Sequence, residues 1–238
     1  MSNTYFQFKQ FVINQDNCAM KVCTDSCLFG AWIVQLIKDR EMNVSNALDI
    51  GSGTGLLSLM VTQHFNIKID AIEIDTLAAN QAKDNVSISS WPNSINIINT
   101  SMQSFNPNIQ YDFIFSNPPF FEDDLQSADD SKNAAKHSTT LTLTELINFI
   151  KNNSNGFSGI IIPSHRYDYI ESILNNAGLF INEMMFVKQT PKHEYFRAML
   201  LFSKNKSAKK FTEICIYDEN RIYTKSFTEL LKEYYLNL

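Results

Sequence analysis

Ala47-Leu48-Asp49-Ile50-Gly51-Ser52-Gly53-Thr54-Gly55-Leu56-Leu57-Ser58-Leu59-Met60-Val61 reads as a short apolar strand, a glycine turn and the start of a helix. Glycines let the backbone of such a turn pass close to a ligand at the carboxyl end of a parallel strand, where doubly wound sheets place their cofactors. Some twenty residues on, Ile69-Asp70-Ala71-Ile72-Glu73 reads as a second strand ending in an acid, at the spacing of a residue that holds a ribose diol. Taken alone, the turn serves NAD equally well, and Glu73 alone is a solvated strand end. The dinucleotide fingerprint is Gly-x-Gly-x-x-Gly, whereas this turn is Gly-x-Gly-x-Gly preceded by Asp49.

A second motif, Asn117-Pro118-Pro119-Phe120, directly follows the apolar run Tyr111-Asp112-Phe113-Ile114-Phe115. Asn-Pro is an ordinary turn signal, and Pro-Pro stops a strand. The chemistry offers another reading. An amino group on an aromatic ring is a poor nucleophile because its lone pair is delocalised. The Asn117 side-chain carbonyl and the Pro118 backbone carbonyl suit two hydrogen bonds from such an NH2, turning its lone pair toward an electrophile, while Phe120 offers a flat face for the base. The tetrapeptide resembles the catalytic corner of amino-methyltransferases. With Asp49, the glycine turn and Glu73 in the same order, the chain resembles S-adenosylmethionine-dependent methyltransferases of the Rossmann-like class. That resemblance implies that Asp49 and the glycines contact the methionine moiety and Glu73 the ribose.

The rest of the chain alternates as a doubly wound sheet does. Strand-like runs fall at 45–50, 69–73, 95–98, 111–116, 157–162, 179–187 and 195–203, with helical patterns at 55–64, 76–86, 141–152 and 165–176. No helix separates the last two runs, so they read as an antiparallel hairpin, joined through Gln189–Glu194, that closes the sheet. The expected fold class is therefore α/β, a Rossmann-like doubly wound sheet, mostly parallel, with an antiparallel carboxyl-terminal hairpin.

With 238 residues, 44% of them hydrophobic, one domain spanning 1–238 is expected. No apolar run reaches membrane-span length and Met1-Ser2-Asn3-Thr4 lacks the features of a secretion signal, so a cytoplasmic location with no membrane partner is expected. Cys18, Cys23, Cys27 and Cys215 form no Cys-x-x-Cys pair, and His64, His137, His165 and His193 are scattered. With no Gly-x-Ser-x-Gly or His-Glu-x-x-His motif present, neither a metal site nor acyl-enzyme chemistry is expected. The polar loop 121–140 adjoins the Asn-Pro-Pro-Phe corner and reads either as a substrate-gating segment or as a solvated loop.

A formal net charge of −5 argues against a protein that coats nucleic acid indiscriminately. Yet Lys188, Lys192, Arg197, Lys204, Lys206, Lys209 and Lys210 fall in one stretch against a single acid, Glu194. This run reads as an RNA-binding phosphate edge, with a solvated face as the alternative.

The amino-terminal segment narrows the family. Phe8-Lys9-Gln10-Phe11, the run from Gln15 to Ser26 and Gly30-Ala31-Trp32 resemble the bacterial adenine-N6 methyltransferases of valine tRNA, which modify the adenine beside the anticodon. The resemblance continues through Asp49–Gly55, Glu73-Ile74-Asp75, Ser90-Trp91, Asn117–Phe121, Thr139–Thr142, Tyr223-Thr224 and Leu230-Leu231, nearly the whole chain. It implies S-adenosylmethionine as cofactor, a tRNA anticodon loop as partner, and residues 1–40 as a cap in which Lys21, Thr24 and Asp25 close the cofactor pocket. It further implies that Gly51 and Gly53 underlie that pocket and that Asn117, Pro118, Pro119 and Phe120 form the adenine site, Asn117 also bordering the cofactor. The chain departs from the family at Phe120, where Tyr is common, and at Ser101, where related enzymes place an Asp that accepts from the cofactor's adenine. Release-factor glutamine methyltransferases and rRNA guanine-N2 methyltransferases share the Asn-Pro-Pro corner, so the corner alone leaves the target open. A non-catalytic RNA chaperone is a further alternative, which the joint presence of the cofactor turn and Asn117 disfavours.

Overall fold

The computed structural model describes residues 3–18, 20–118 and 142–238. Its centre is a sheet built from β3 (Asn46–Ile50), β4 (Lys68–Glu73), β5 (Ile95–Asn99), β6 (Tyr111–Ser116), β7 (Ser154–Pro163), β8 (Phe180–Lys188), β9 (Tyr195–Ser203) and β10 (Lys210–Cys215). Their spatial order is β10-β8-β9-β7-β6-β3-β4-β5. Only β9 runs against its neighbours, wedged antiparallel between β7 and β8. A separate antiparallel pair, β1 (Tyr5–Gln7) and β2 (Val12–Asn14), begins the described chain.

Buried side chains explain the two-faced sheet. Along β3 and β6 successive residues point to opposite faces, Ala47, Phe113 and Phe115 into one core and Leu48, Ile50 and Ile114 into the other. The first core is covered by α1 (Thr24–Asp39), α2 (Leu56–Thr62), α3 (Thr76–Ser87) and α6 (Lys225–Leu231). The second is covered by α4 (Leu143–Asn153) and α5 (Tyr167–Ala177). Helix starts follow local chemistry: Asp75 caps α3 through the Ala78 amide, and Thr142 and Glu145 form a reciprocal capping box on α4. Gly30 lets α1 lie against α2, since a Cβ there would come within 2.6 Å of Met60 Sδ.

The strand runs from residue 45 to 203 and the four helical patterns match observed elements to within a few residues. Three differences carry information. The expected hairpin does pair antiparallel, but it does not close the sheet: β10 adds a parallel strand outside β8, Lys210 opposite Glu183 and Cys215 opposite Lys188. Its Lys-Phe-Thr-Glu-Ile-Cys sequence is largely solvent-facing and lacks the apolar run by which buried strands are recognised. Helix α1 has no amphipathic period because residues 26–34 are buried without interruption. The segment expected as an amino-terminal cap, residues 1–40, also contributes Phe8, Phe11, Ile13 and most of α1 to the first core.

Candidate functional site

In a doubly wound sheet the binding crevice opens at the carboxyl ends of the strands where the connections reverse direction. Here that point lies between β3 and β6: from β3 the chain moves outward to β4 and β5, then returns to β6 on the other side. Four of the expected positions sit at the carboxyl ends of four neighbouring strands. The glycine turn follows β3, Glu73 ends β4, Ser101 follows β5 and Asn117 follows β6.

The turn takes its shape from three left-handed residues, Gly51, Gly53 and Gly55, with φ of 72°, 54° and 82°. A Cβ at Gly51 or Gly53 would meet nothing within 4 Å, so these backbone atoms border open space. Glu73 holds the turn. Its Oε2 accepts from the Gly53 amide at 2.8 Å, and its Oε1 from the Asp75 amide at 2.9 Å. Buried Asn85 of α3 ties the turn to the amino-terminal strands, donating to Thr54 O and Asn14 O and accepting from the Asn14 amide.

Asp49 lies beneath the turn and is fully buried. Its Oδ2 accepts from the Ser58 hydroxyl at 2.7 Å, while Oδ1 has no partner among the described residues. Burial pushes its carboxyl up to about 7; the Ser58 hydrogen bond opposes the shift and the Glu73 charge adds to it. Ser52 Oγ, in the turn itself, is also buried and unpartnered among the described residues. An open acceptor and an open hydroxyl beside a turn bordering free space fit a ligand carrying an ammonium group, as the methionine part of S-adenosylmethionine does.

Asn117 is half-buried, and Pro118 is buried beside it; Pro119 and Phe120 lie outside the described residues, as does the loop 121–140. Asn117 Nδ2 donates to Ser26 Oγ at 2.8 Å, which leaves Oδ1 as its free acceptor among the described residues. Ser26 belongs to the first turn of α1, so that helix's amino end reaches the β6 corner. Asp25 next to it accepts from the Ser26 amide at 3.1 Å and from Arg197 Nε at 2.7 Å. Neither Ser26 nor Asn85 was among the expected site residues. Neither stands out within a short window: Ser26 directly precedes the apolar stretch that begins at Cys27, and Asn85 lies in the polar run Lys83-Asp84-Asn85.

The remaining expected positions divide. Ser101 caps a short 3-10 helix at 102–104 through the Ser104 amide. Thr24 lies near the Tyr235 hydroxyl in the carboxyl-terminal tail, and Lys21 Nζ donates to Asn3 O at 3.3 Å. The basic run is not one surface. Lys188, Lys192 and Arg197 sit at the end of the sheet where the parallel strands finish and the crevice opens, with β8 three strands away from β6, whereas Lys204 follows Ser203 at the opposite end. Six residues of β9 separate those ends, roughly 20 Å of strand. Lys206 lies over Phe180 at that far end, Lys209 pairs with Glu171 and Lys210 with Glu183. Lys188 covers the Tyr195 ring at 4.4 Å, and Lys192 makes only a 4.0 Å approach to Glu219.

A cleft of about 300 Å³ lined by Lys68, Asp70, Asn93 and Tyr111 opens at the amino ends of the strands, away from all of these groups. Among the described residues no group of three or more His, Cys, Asp and Glu side chains is placed to hold a metal ion, and no helix is long and apolar enough to cross a membrane.

Comparison with known proteins places this geometry in a family context. Residues 30–141 match the model of the methyltransferase small domain. The chain is 36% identical over 239 residues to a tRNA1(Val) (adenine(37)-N6)-methyltransferase of Pseudoalteromonas translucida, covering 98% of this chain and 99% of that protein. Proteins of the same name from Dyadobacter fermentans and Bacteroides fragilis are 37% and 34% identical, each aligned over at least 98% of both chains. Among solved structures, an S-adenosylmethionine-dependent methyltransferase from Clostridium acetobutylicum superposes with a TM-score of 0.55 at 13% identity, covering 76% of this chain and 92% of that one. A magnesium protoporphyrin IX methyltransferase from Synechocystis with bound S-adenosylmethionine gives 0.54 at 14% identity, covering 75% and 79%. At such low identity these two share the fold.

Proposed function

Because the chain belongs to the tRNA1(Val) (adenine(37)-N6)-methyltransferase family, we propose that it methylates the exocyclic N6 of an adenine in tRNA, beside the anticodon of valine tRNA, with S-adenosylmethionine as donor. The observation carrying this reading is the position of Asn117: it follows β6 at the switch point, its amide nitrogen is engaged by Ser26, and its carbonyl oxygen has no partner among the described residues and is available to an amine.

The cofactor supplies an electrophilic methyl group on a sulfonium. Asp49 and Ser52 offer an acceptor and a hydroxyl to its amino-acid end, Gly51 and Gly53 leave room for its backbone-side approach, and the Glu73 carboxylate has lone pairs beyond its two amide bonds for a ribose diol. Ser101 lies on the same rim and offers a hydroxyl to the adenine end, with Lys21, Thr24 and Asp25 on the amino-terminal side of the pocket. Asn117 Oδ1 and the Pro118 carbonyl accept the two N–H bonds of the target amine. They thereby orient its lone pair and stabilise positive charge developing on nitrogen. Phe120 stacks on the extruded base, which leaves a loop at a cost of only a few kcal/mol. No side chain is needed as a strong base, since an alkylated cationic amine on an aromatic ring is acidic enough to release its proton to water.

On the RNA side Lys188 and Lys192 bind phosphate, since they share the sheet end that carries Asn117. A substrate of this kind places the enzyme in the cytoplasm. The test is direct: the purified chain is incubated with unmodified tRNA and labelled S-adenosylmethionine, and the nucleosides are resolved by mass spectrometry. N6-methyladenosine in the anticodon loop of valine tRNA is the expected product. Label on guanine N2, on a protein glutamine or on nothing at all refutes the reading.

A further inference from the structure

A primary amide has two ends of nearly equal shape and opposite polarity, so a side-chain amide used as an acceptor needs something to distinguish oxygen from nitrogen. At Asn117 that distinction is made from outside its own strand. Nδ2 donates to Ser26 Oγ at 2.8 Å across 91 residues of sequence. Ser26 Oγ also lies 2.9 Å from Cys23 Sγ, and with its single proton directed to that sulfur the hydroxyl meets Asn117 with lone pairs only, which selects the nitrogen end of the amide. A half-turn of the amide would bring two N–H groups toward an amine that itself donates, replacing attraction by repulsion.

The position of Ser26 has its own support. Its amide donates to Asp25 Oδ1 at 3.1 Å, and Asp25 Oδ2 accepts from Arg197 Nε at 2.7 Å. The two charged side chains are 15% and 28% exposed, so solvent screens the pair only in part. Asp25 stands in the first turn of α1, where a carboxylate is favoured by the helix dipole, and Arg197 is anchored in β9 opposite Pro163 of β7. Strand β9, helix α1 and the β6 corner are thus joined in sequence from guanidinium to carboxylate to helix turn to hydroxyl to amide.

We propose that Ser26 is a positioning residue that fixes the Asn117 amide with its carbonyl oxygen toward the substrate, and that the Asp25–Arg197 pair braces Ser26 for this task. The proposal rests on the reading of Asn117 as the acceptor of the target amine. It assigns Arg197 to the interior of the site, although the charge pattern alone groups it with the phosphate-binding lysines.

Two readouts test it, the first of them independent of turnover. In the cofactor-free protein, 15N NMR follows the Asn117 side-chain amide. Ser26→Ala is expected to shift both Nδ2 proton resonances and to speed their exchange with solvent roughly tenfold, the scale of one hydrogen bond, and Ser26→Thr to reverse both. In methyl transfer to tRNA, Ser26→Ala is expected to lower kcat by roughly tenfold while KM for tRNA and Kd for the cofactor stay within about twofold; Ser26→Thr restores most of kcat. Arg197→Gln is expected to lower kcat about threefold at unchanged KM for tRNA.

An Asn117 amide that exchanges identically in wild type and Ser26→Ala overturns the proposal, even if the protein proves to methylate something else. So does a kcat loss matched by an equal loss of cofactor affinity, or one that Ser26→Thr shares in full together with a fall in Tm, because either makes Ser26 a packing residue only. A raised KM for tRNA at intact kcat in Arg197→Gln makes that residue an RNA ligand and overturns its bracing role. Wild-type protein that shows the amide effects but yields no N6-methyladenosine refutes the activity and leaves the amide anchoring standing.

Discussion

Cofactor binding should fall with acid through the neutral range, and Asp49 should be the cause. The carboxyl is fully buried, one of its oxygens is unpartnered among the described residues, and burial has pushed it up to about 7. A ligand ammonium needs the ionised form. At pH 7 about half of the free protein carries it, and at pH 6 only about a tenth, so apparent affinity should weaken roughly fivefold between those values. On the alkaline side the ligand's own amino group loses its proton near pH 8, so the profile has two limbs and only the acid limb belongs to the protein.

Folding stability provides a second readout with a definite sign. The native carboxyl binds its proton more tightly than the unfolded one, so the native state holds the extra proton between about pH 4 and pH 7. Stability therefore falls as pH rises through that window and levels off above it, by something on the order of 4 kcal/mol if the whole shift is realised. Asp49→Asn removes the buried anion. It should raise the Tm of the cofactor-free protein at pH 8, leave it nearly unchanged at pH 5, and abolish the acid limb of binding. Calorimetric titration at pH 6, 7 and 7.5 with thermal melts at pH 5 and 8 checks both. An Asp49→Asn protein that keeps the wild-type acid limb refutes the assignment of that limb to Asp49, and one whose Tm gain is the same at both pH values refutes the buried-anion argument.

Asn117→Ala should abolish methyl transfer and leave cofactor Kd within about twofold, because it removes an acceptor used by the substrate amine; calorimetry beside a labelled-methyl assay decides, and wild-type turnover would sink the assignment. Phe120→Ala should lower kcat/KM for whole tRNA by about 1–3 kcal/mol, the worth of one base–aromatic stack, with Phe120→Tyr tolerated; equal kcat/KM in all three proteins removes the base from that ring. Reversing Lys188 and Lys192 to Glu should weaken tRNA binding and make its salt dependence shallower, by about 0.7 in log–log slope for each single-strand phosphate no longer neutralised, while reversing Lys204 and Lys206 should change neither. Equal effects of the two pairs, measured by filter binding across a salt titration, contradict the division of the basic run between two ends of the sheet.

Features that sequence made legible share one property: their meaning is contained in a few consecutive residues. Asp49–Gly55 is legible because only glycine sits comfortably at the left-handed φ values that a turn under a ligand requires. Strands β3, β6 and β7 are legible because each contains a short apolar run, Ala47-Leu48, Phe113-Ile114-Phe115 and Ile160-Ile161-Ile162, whose residues are buried on both faces of the sheet. Helix α1 and strand β10 fail for opposite reasons. The helix is buried beyond any single stripe and so shows no 3.6-residue period, and the outer strand is too exposed to show an apolar run. The basic run shows how adjacency misleads, since a strand carries consecutive residues from one end of the sheet to the other. Seven cations read as a single edge, yet Arg197 and Lys204 stand at opposite ends of β9.

Long-range polar pairings were out of reach for a related reason. The Asn117–Ser26 hydrogen bond and the Arg197–Asp25 pair join residues 91 and 172 positions apart, and no pattern within a window of sequence encodes either. The same holds for what is left unbonded. Among the described residues five buried side-chain atoms lack partners, and two of them, Asp49 Oδ1 and Ser52 Oγ, lie within the same strand and turn. A buried polar atom without a partner costs about 1–3 kcal/mol, so a fold that leaves two together has given up stability at one spot. That cost is recovered when a ligand supplies the missing donor and acceptor. The Asn117 side-chain carbonyl, unpartnered among the described residues across the switch point, is in the same position with respect to an incoming amine. On this reading the groups beside β3 are completed by the cofactor and the group beyond β6 by the substrate, and the reacting atoms meet between two strands whose registers fix the distance.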